Sequence, residues 1–451
     1  MTRQRDFKAR VRGRMERTGE RYSAARAHIL ASRQAPAERL TPASAAPPNT
    51  PGLFRAVRFV GGQQADVAAA RNLLSNAGVK GPDGSPLTEA MAFGLAGGVG
   101  FLYGVFEYDD VPTMTIVGRN RSTPDRFLEP LFGRAGAEVQ VVTTGSAAKA
   151  RRELARLLDD EVPSLCTVGS GWLDYLGLPK DEAAMSPHVV GVVGSREGGL
   201  LVDDRAPNPH LVDAETLGMA RGAYRAAKHR MISVSAVNEN HDWKQALVTA
   251  IRAGAQGYDT PPVPQFASNV GTAGLQKWHR LLTNPKEKKS WHRIFGEGTR
   301  AAIGLSRLYD CVTHAYTAPG AGRFLYAHFL EESGAAADLS VDAQWKGGVP
   351  DLQAPADAFR RSGECWTKLA TIASGASAEL TRYAELADHR TARLDEAPSV
   401  EEMAALHAEQ RELVAQGRLT VSDTAEVFTN LGSVLEEIIE LERGAVAGLS
   451  A

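Results

Sequence analysis

An imidazole and a carboxylate set to meet across neighbouring strands are the strongest chemical signal in this chain. His188 opens the apolar run HVVGVVG, and sixteen residues later Asp204 ends the next one, GLLVDD. Successive short apolar runs read as adjacent β-strands, which would bring the two side chains together. An imidazole near its ordinary pKa can take a proton from an attacking amine, and a carboxylate can fix its tautomer. Asp203 alternates to the opposite face of the strand from its neighbour Asp204.

A covalent route would also need a nucleophile. Cys166, Cys311 and Cys365 lie far apart with no CxxC spacing, so neither a zinc ribbon nor a disulfide framework is expected, and a reducing compartment is the default. Cys166 falls in the strand-like run PSLCTVGS, where a free cysteine is normally buried. Cys311 and Cys365 belong to a helical stretch, and none of the three is an obvious nucleophile. The eleven histidines contain no HExxH, and no metal is expected. No cofactor is called for either. The Gly-rich segment LTEAMAFGLAGGVGFLYGVFEY, residues 87–108, follows a helix and lacks the Lys-Ser/Thr of a phosphate-binding loop. Its glycines read instead as a close backbone approach beside a cleft.

The surrounding elements follow from periodicity. With 51 basic and 53 acidic residues, 43 % hydrophobic and 23 % charged, the chain has the composition of a soluble globular protein of two or three domains. Nothing in these totals calls for nucleic acid or an acidic substrate. Residues 1–30 carry nine Arg/Lys against three acids and read as a basic helical arm, with Phe7, Val11 and Met15 on one face. No base-reading motif accompanies that charge, so nucleic acid is not expected as a partner. Residues 31–52 read as a Pro/Ala/Ser linker. From 53 to 237 helical and strand patterns alternate. Ala65 to Ala77 suits a helix closed by Gly78, Thr88 caps the next one, and FLYGVFEY and TMTIVGR read as strands. SAAKARRELARLLDDE is an amphipathic helix with Leu154, Leu157 and Leu158 facing in. From 238 to 451 the pattern is all-helical, ending in a stripe of Phe428, Leu431, Leu435 and Ile438. The charged N-terminus lacks a secretory signal, and no run approaches ~18 apolar residues, so a cytoplasmic protein without membrane contact is expected.

Taken together, GGQQADVAAARNLL, LTEAMAFGLAGGVGF, HVVGVVG and LVDDRAP resemble the N-terminal domain of the butirosin biosynthesis protein H family. Beyond Asn238, GLQKWHRLL, KSWHRIF and FLYAHFLEE are similar to the helical domain that often follows it. The resemblance implies an α+β, papain-like fold, related to leader-processing peptidases, with a separate C-terminal all-α domain. It also implies acyl transfer from a carrier-protein thioester to an amine. The family usually opens its first helix with His-Cys. Those positions fall here on Gln64 and Ala65, followed by Asp66, and alanine offers no nucleophile.

The expectation is therefore an amide-forming or cyclising acyl-transfer enzyme of natural-product metabolism that works without a cysteine. His188 and Asp204 would be catalytic. Gln63, Gln64 or backbone N–H groups near Ala65 are candidate oxyanion donors, and Asp66 a candidate binder of the substrate amine. Glu89, after the Thr88 cap, joins the substrate-binding set, and Trp172 and Tyr175 could wall an acyl pocket. The cluster Arg280, Lys286, Lys288, Lys289, His292 and Arg293 would attract an acidic acyl carrier protein. A homodimer is compatible with the arm and the long helices. The rival expectation is a non-catalytic binding protein of the same pathway.

Overall fold

The computed structural model describes residues 59–108, 111–180, 186–315, 317–336, 352–396 and 398–450. The expected arm (1–30) and linker (31–52) lie outside the described residues. Local signals fix the first elements. Helix α1 (Ala65–Asn76) ends before Gly78, whose φ of 90° lies in the left-handed region. Thr88 Oγ1 accepts the Met91 N–H at 2.9 Å and caps α2 (Glu89–Ala96). Strands β1 (Val99–Tyr108) and β2 (Val111–Arg119) then pair as an antiparallel hairpin. There follow α3 (Pro124–Arg134), β3 (Ala137–Val142), α4 (Ala147–Asp159), β4 (Ser164–Gly169), β5 (Pro187–Arg196), β6 (Gly199–Asp203), β7 (His210–Val212), α5 (Ala214–Ala223) and β8 (Met231–Val237).

Six of these strands form one antiparallel sheet in the order β3-β8-β4-β5-β6-β7. Residues of β4 are buried throughout because both faces of the sheet are covered. On one side Leu165, Val189 and Ile232 join the main core with Val67 and Leu74 of α1. On the other, Cys166, Val190 and Val192 meet Leu154 and Leu157 of α4 and Leu217 of α5. Alternation along the pleat sends Leu165 and Cys166 into these two different clusters. Leu158 of α4 packs at the margin of the second cluster.

From Trp243 onward the described chain is helical: α6 (Trp243–Tyr258), α7 (Gly271–Thr283), α8 (Trp291–Ile294), α9 (Gly298–Thr313), α10 (Arg323–Ala336), α11 (Gln353–Ser374), α12 (Ala378–Arg393), α13 (Val400–Ala415) and α14 (Val421–Ser450). Phe428, Leu431, Leu435 and Ile438 of α14 are all fully buried, as their spacing requires. No described helix is long and apolar enough to cross a membrane. One apolar core runs from Val67 of α1 to Leu449 of α14, so the α+β region and the helical region pack on each other. Glycine makes that contact possible. A Cβ on Gly98, at φ 66°, would lie 2.3 Å from the Tyr326 ring, and one on Gly94 would lie 2.1 Å from Phe329. The close approach expected of this Gly-rich segment is thus to the aromatic face of α10, where a cleft was expected.

A buried ion pair ties the same interface. Arg323 and Glu442 have no side-chain exposure (0 % each). Arg323 Nε and Nη2 each donate to Glu442 at 2.7 Å. Nη1 donates to Ala321 O at 2.7 Å and Gly118 O at 2.5 Å, and Nη2 to Gly100 O at 3.0 Å. Glu442 further accepts Trp366 Nε1 at 2.8 Å, Ser362 Oγ at 2.5 Å and the Tyr258 hydroxyl. Burial alone would neutralise the acid, but the guanidinium and its hydrogen bonds hold Glu442 below the usual carboxylate range. Glu442→Ala strands the guanidinium and should lower the unfolding free energy by about 3–5 kcal/mol, read by urea denaturation. The joint Arg323→Met/Glu442→Leu replacement should recover most of that loss, because it removes both charges.

Candidate functional site

His188, the second residue of β5, lies opposite Val168 of β4, and Asp204 follows the last residue of β6. His188 Nε2 lies 2.8 Å from Asp204 Oδ2. The same carboxylate oxygen accepts the Tyr175 hydroxyl at 2.7 Å. Tyr175 stacks flat on His210, with ring centroids 4.0 Å apart and planes 2° apart. Burial pushes the Tyr175 phenol well up, and the Asp204 charge adds to this, so the hydroxyl stays a donor. Burial would also raise Asp204, but the charge and hydrogen bond of His188 and the Tyr175 bond outweigh it and hold this acid below its ordinary value. An ionised carboxylate only accepts, so Nε2 carries the proton. Nδ1 has no hydrogen-bond partner among the described residues and is the nitrogen left for a ligand. The His188 side chain keeps 21 % exposure while Asp204 keeps 2 %. Burial works against the imidazolium, yet Asp204 and the charge of Asp66 raise its pKa above the ordinary 6.5.

The start of α1 lies beside this pair, since the Gly62 N–H bonds Arg205 O at 2.8 Å, one residue beyond Asp204. Ala65 is partly exposed there, between buried Gln64 and Asp66. Glu89 reaches back from α2 and accepts the Gln63 N–H at 2.8 Å and the Gln64 N–H at 2.7 Å. Both backbone donors are therefore occupied. Asp66 is equally engaged: Oδ2 meets Arg119 Nη1 at 2.6 Å, and Oδ1 accepts Gln64 Nε2 at 3.2 Å and the Val67 N–H at 3.0 Å. Arg119, at the end of β2, lies over the Phe127 ring at 4.5 Å. Neither Arg119 nor Tyr175's bond to Asp204 was legible beforehand, because their partners lie 53 and 29 residues away in sequence.

Behind the pair, Asp203 turns to the other side, where Asn72 Nδ2 of α1 donates to it at 3.0 Å. Its carboxyl is pushed up to about 7 by burial, despite the Asn72 bond, with the neighbouring Asp204 charge adding to the rise. The helical region supports the turn that carries Tyr175. Arg390 Nη2 of α12 donates to Leu176 O at 3.1 Å, and a Cβ on Gly177 would lie 2.4 Å from the Met403 backbone of α13. Trp172 is half-buried, with Lys180 Nζ 4.6 Å above its ring. All three cysteines are buried, and burial pushes their thiols up, Cys365 to about 11, so none supplies a thiolate at neutral pH.

Two titrations check these electrostatics. His188 should titrate above 6.5 by NMR in the native chain and below 6.5 in Asp204→Asn, where burial persists without the opposing charge. Asp203 stays protonated to about 7 when folded but ionises near 3.8 when unfolded, so the fold binds the extra proton and loses stability as pH rises through that window. Asp203→Asn should flatten the decline, measured as denaturation midpoints between pH 4 and 8.

Two family models match the chain. Residues 64–205 match "Butirosin biosynthesis protein H, N-terminal", and residues 216–407 match "Domain of unknown function (DUF4872)". No curated protein matches the chain. The protein thus carries a papain-like N-terminal domain of the butirosin biosynthesis protein H family, followed by the helical domain of unknown function.

Proposed function

We propose that this chain is an acyl-transfer enzyme of specialised metabolism that joins an activated acyl group to an amine, or cyclises one molecule bearing both. The observation that carries this reading is the orientation of His188, with Nε2 committed to Asp204 and Nδ1 left, among the described residues, without a partner beside the start of α1. The family's usual cysteine would fall on Ala65, whose methyl group cannot attack a carbonyl. The amine therefore attacks the bound thioester or ester directly. Its nitrogen forms the new C–N bond while Nδ1 takes the proton, and the tetrahedral adduct then expels the thiolate or alkoxide, which recovers that proton. Holding both reactants in one place provides much of the acceleration.

Asp66 and Glu89 act as positioning residues in this scheme, because Arg119 and the Gln63/Gln64 amides already occupy them. The Ala65 N–H, at the first position of α1, remains as a donor for the developing oxyanion. An acidic carrier protein would meet Lys286, Lys288 and Lys289, which are exposed. Arg280 pairs with Glu287 at 3.1 Å, and His292 and Arg293 turn to backbone carbonyls at 3.0 and 3.3 Å. The internal engagement of Asp66 and Glu89 favours a second reading, a non-catalytic protein that binds substrate or a partner in the same pathway.

The test offers the full chain carrier-bound and coenzyme A thioesters together with amines, and follows amide and protein mass. His188→Ala should slow amide formation by about 10²–10⁴-fold. The native rate should rise with pH through the elevated His188 pKa, because the base works as the neutral ring. No acyl adduct should form on the protein. Unchanged turnover in His188→Ala excludes this base, and binding without turnover establishes the second reading.

A further inference from the structure

Arg205 directly follows Asp204 and holds a φ of 47°, in the left-handed region that favours glycine. Two backbone bonds impose this shape. The Ala206 N–H bonds Asp204 O at 2.5 Å, and the Gly62 N–H bonds Arg205 O at 2.8 Å. Arg205 therefore lies between the acid that holds His188 and the segment that enters α1. Glycine would satisfy that backbone with less strain, so what arginine contributes here is its side chain.

That side chain is half-buried, and its Nε is sealed from solvent with no hydrogen-bond partner. Among the described residues the guanidinium makes no hydrogen bond and no ion pair, although its charge is felt at His188, Glu89 and Asp395. Other guanidinium groups nearby are engaged: Arg119 holds Asp66 at 2.6 Å, and Arg71 donates to Val60 O and to Asn72 Oδ1 at 3.1 Å. A partly desolvated cation left without an acceptor is unfavourable, and a bound anion would offset that cost.

We propose that Arg205 binds a carboxylate carried by the substrate, beside His188. The fork of an arginine matches a planar carboxylate. The carboxylates of Glu89 and Asp395 already feel the Arg205 charge, and they would repel a dianionic phosphate more than a monoanion. The proposal rests on reading the space before His188 as the substrate site, and it narrows the substrate to acyl donors or amines bearing a free acid.

Its test needs no turnover. N-acetylglycine and N-acetylglycinamide are titrated into the full chain at constant ionic strength, with the His188 ring signals followed by NMR. The acid should bind saturably and the amide at least ~10-fold more weakly, since only the acid supplies a charged acceptor. Arg205→Gly should keep or raise the Tm, because glycine suits the backbone, yet weaken acid binding by at least ~10-fold. Arg205→Lys should fall between, and it replaces the glycine variant if that fails to fold. Equal affinity of native and variant chains, equal response to acid and amide, tighter binding of inorganic phosphate, or no native response would each overturn the assignment. If Arg205→Gly loses the acid while His188→Ala leaves turnover unchanged, the carboxylate site stands and the base assignment falls; the reverse pattern removes Arg205 alone.

Discussion

A guanidinium with no solvent contact persists only where its N–H groups find acceptors, and Arg323 finds them on several segments at once. Gly100 and Gly118 offer carbonyls from the β1–β2 hairpin, while Glu442 arrives from α14. Ser362 and Trp366 of α11 and Tyr258 of α6 then saturate Glu442 from behind. These contacts form together, since removing one partner leaves a buried charge unanswered. The pair is thus a condition for hairpin and helices to coexist, and less a source of net stability than a fixed point for register.

From that point the candidate site is held on two flanks. Arg119 ends β2, the strand whose Gly118 carbonyl meets Arg323, and its charge fixes Asp66 at the mouth of α1. On the other flank Arg390 of α12, Leu394 just after it and Met403 of α13 brace the Tyr175 turn. The imidazole therefore inherits its surroundings from both family-matched regions. This gives the domain of unknown function a physical task, supporting the tyrosine that bonds Asp204.

Where the sequence was informative, one face of an element sufficed to read it. The apolar runs around His188 and Asp204 and the Phe428–Ile438 stripe express burial along one element, and the Thr88 cap a hydrogen bond within a single turn. The opposed directions of Asp203 and Asp204 also follow from strand alternation alone. What escaped is long-range. β8 enters the sheet between β3 and β4, almost a hundred residues after β3. β7 is three residues long and leaves no periodicity to detect. Carboxylates such as Asp66 and Glu89 look free in a sequence, because the groups that occupy them sit elsewhere in the chain.

The contact of Gly94 and Gly98 with Tyr326 and Phe329 bears on how such proteins can diversify. Each ring fills the volume that a β-carbon would need, so the glycines and the rings form a lock and key written in separate halves of the gene. Exchange of one half between cousins would succeed only where the missing side chains and the rings arrive matched. Parts that look modular on a linear map are therefore expected to travel through evolution as a single unit.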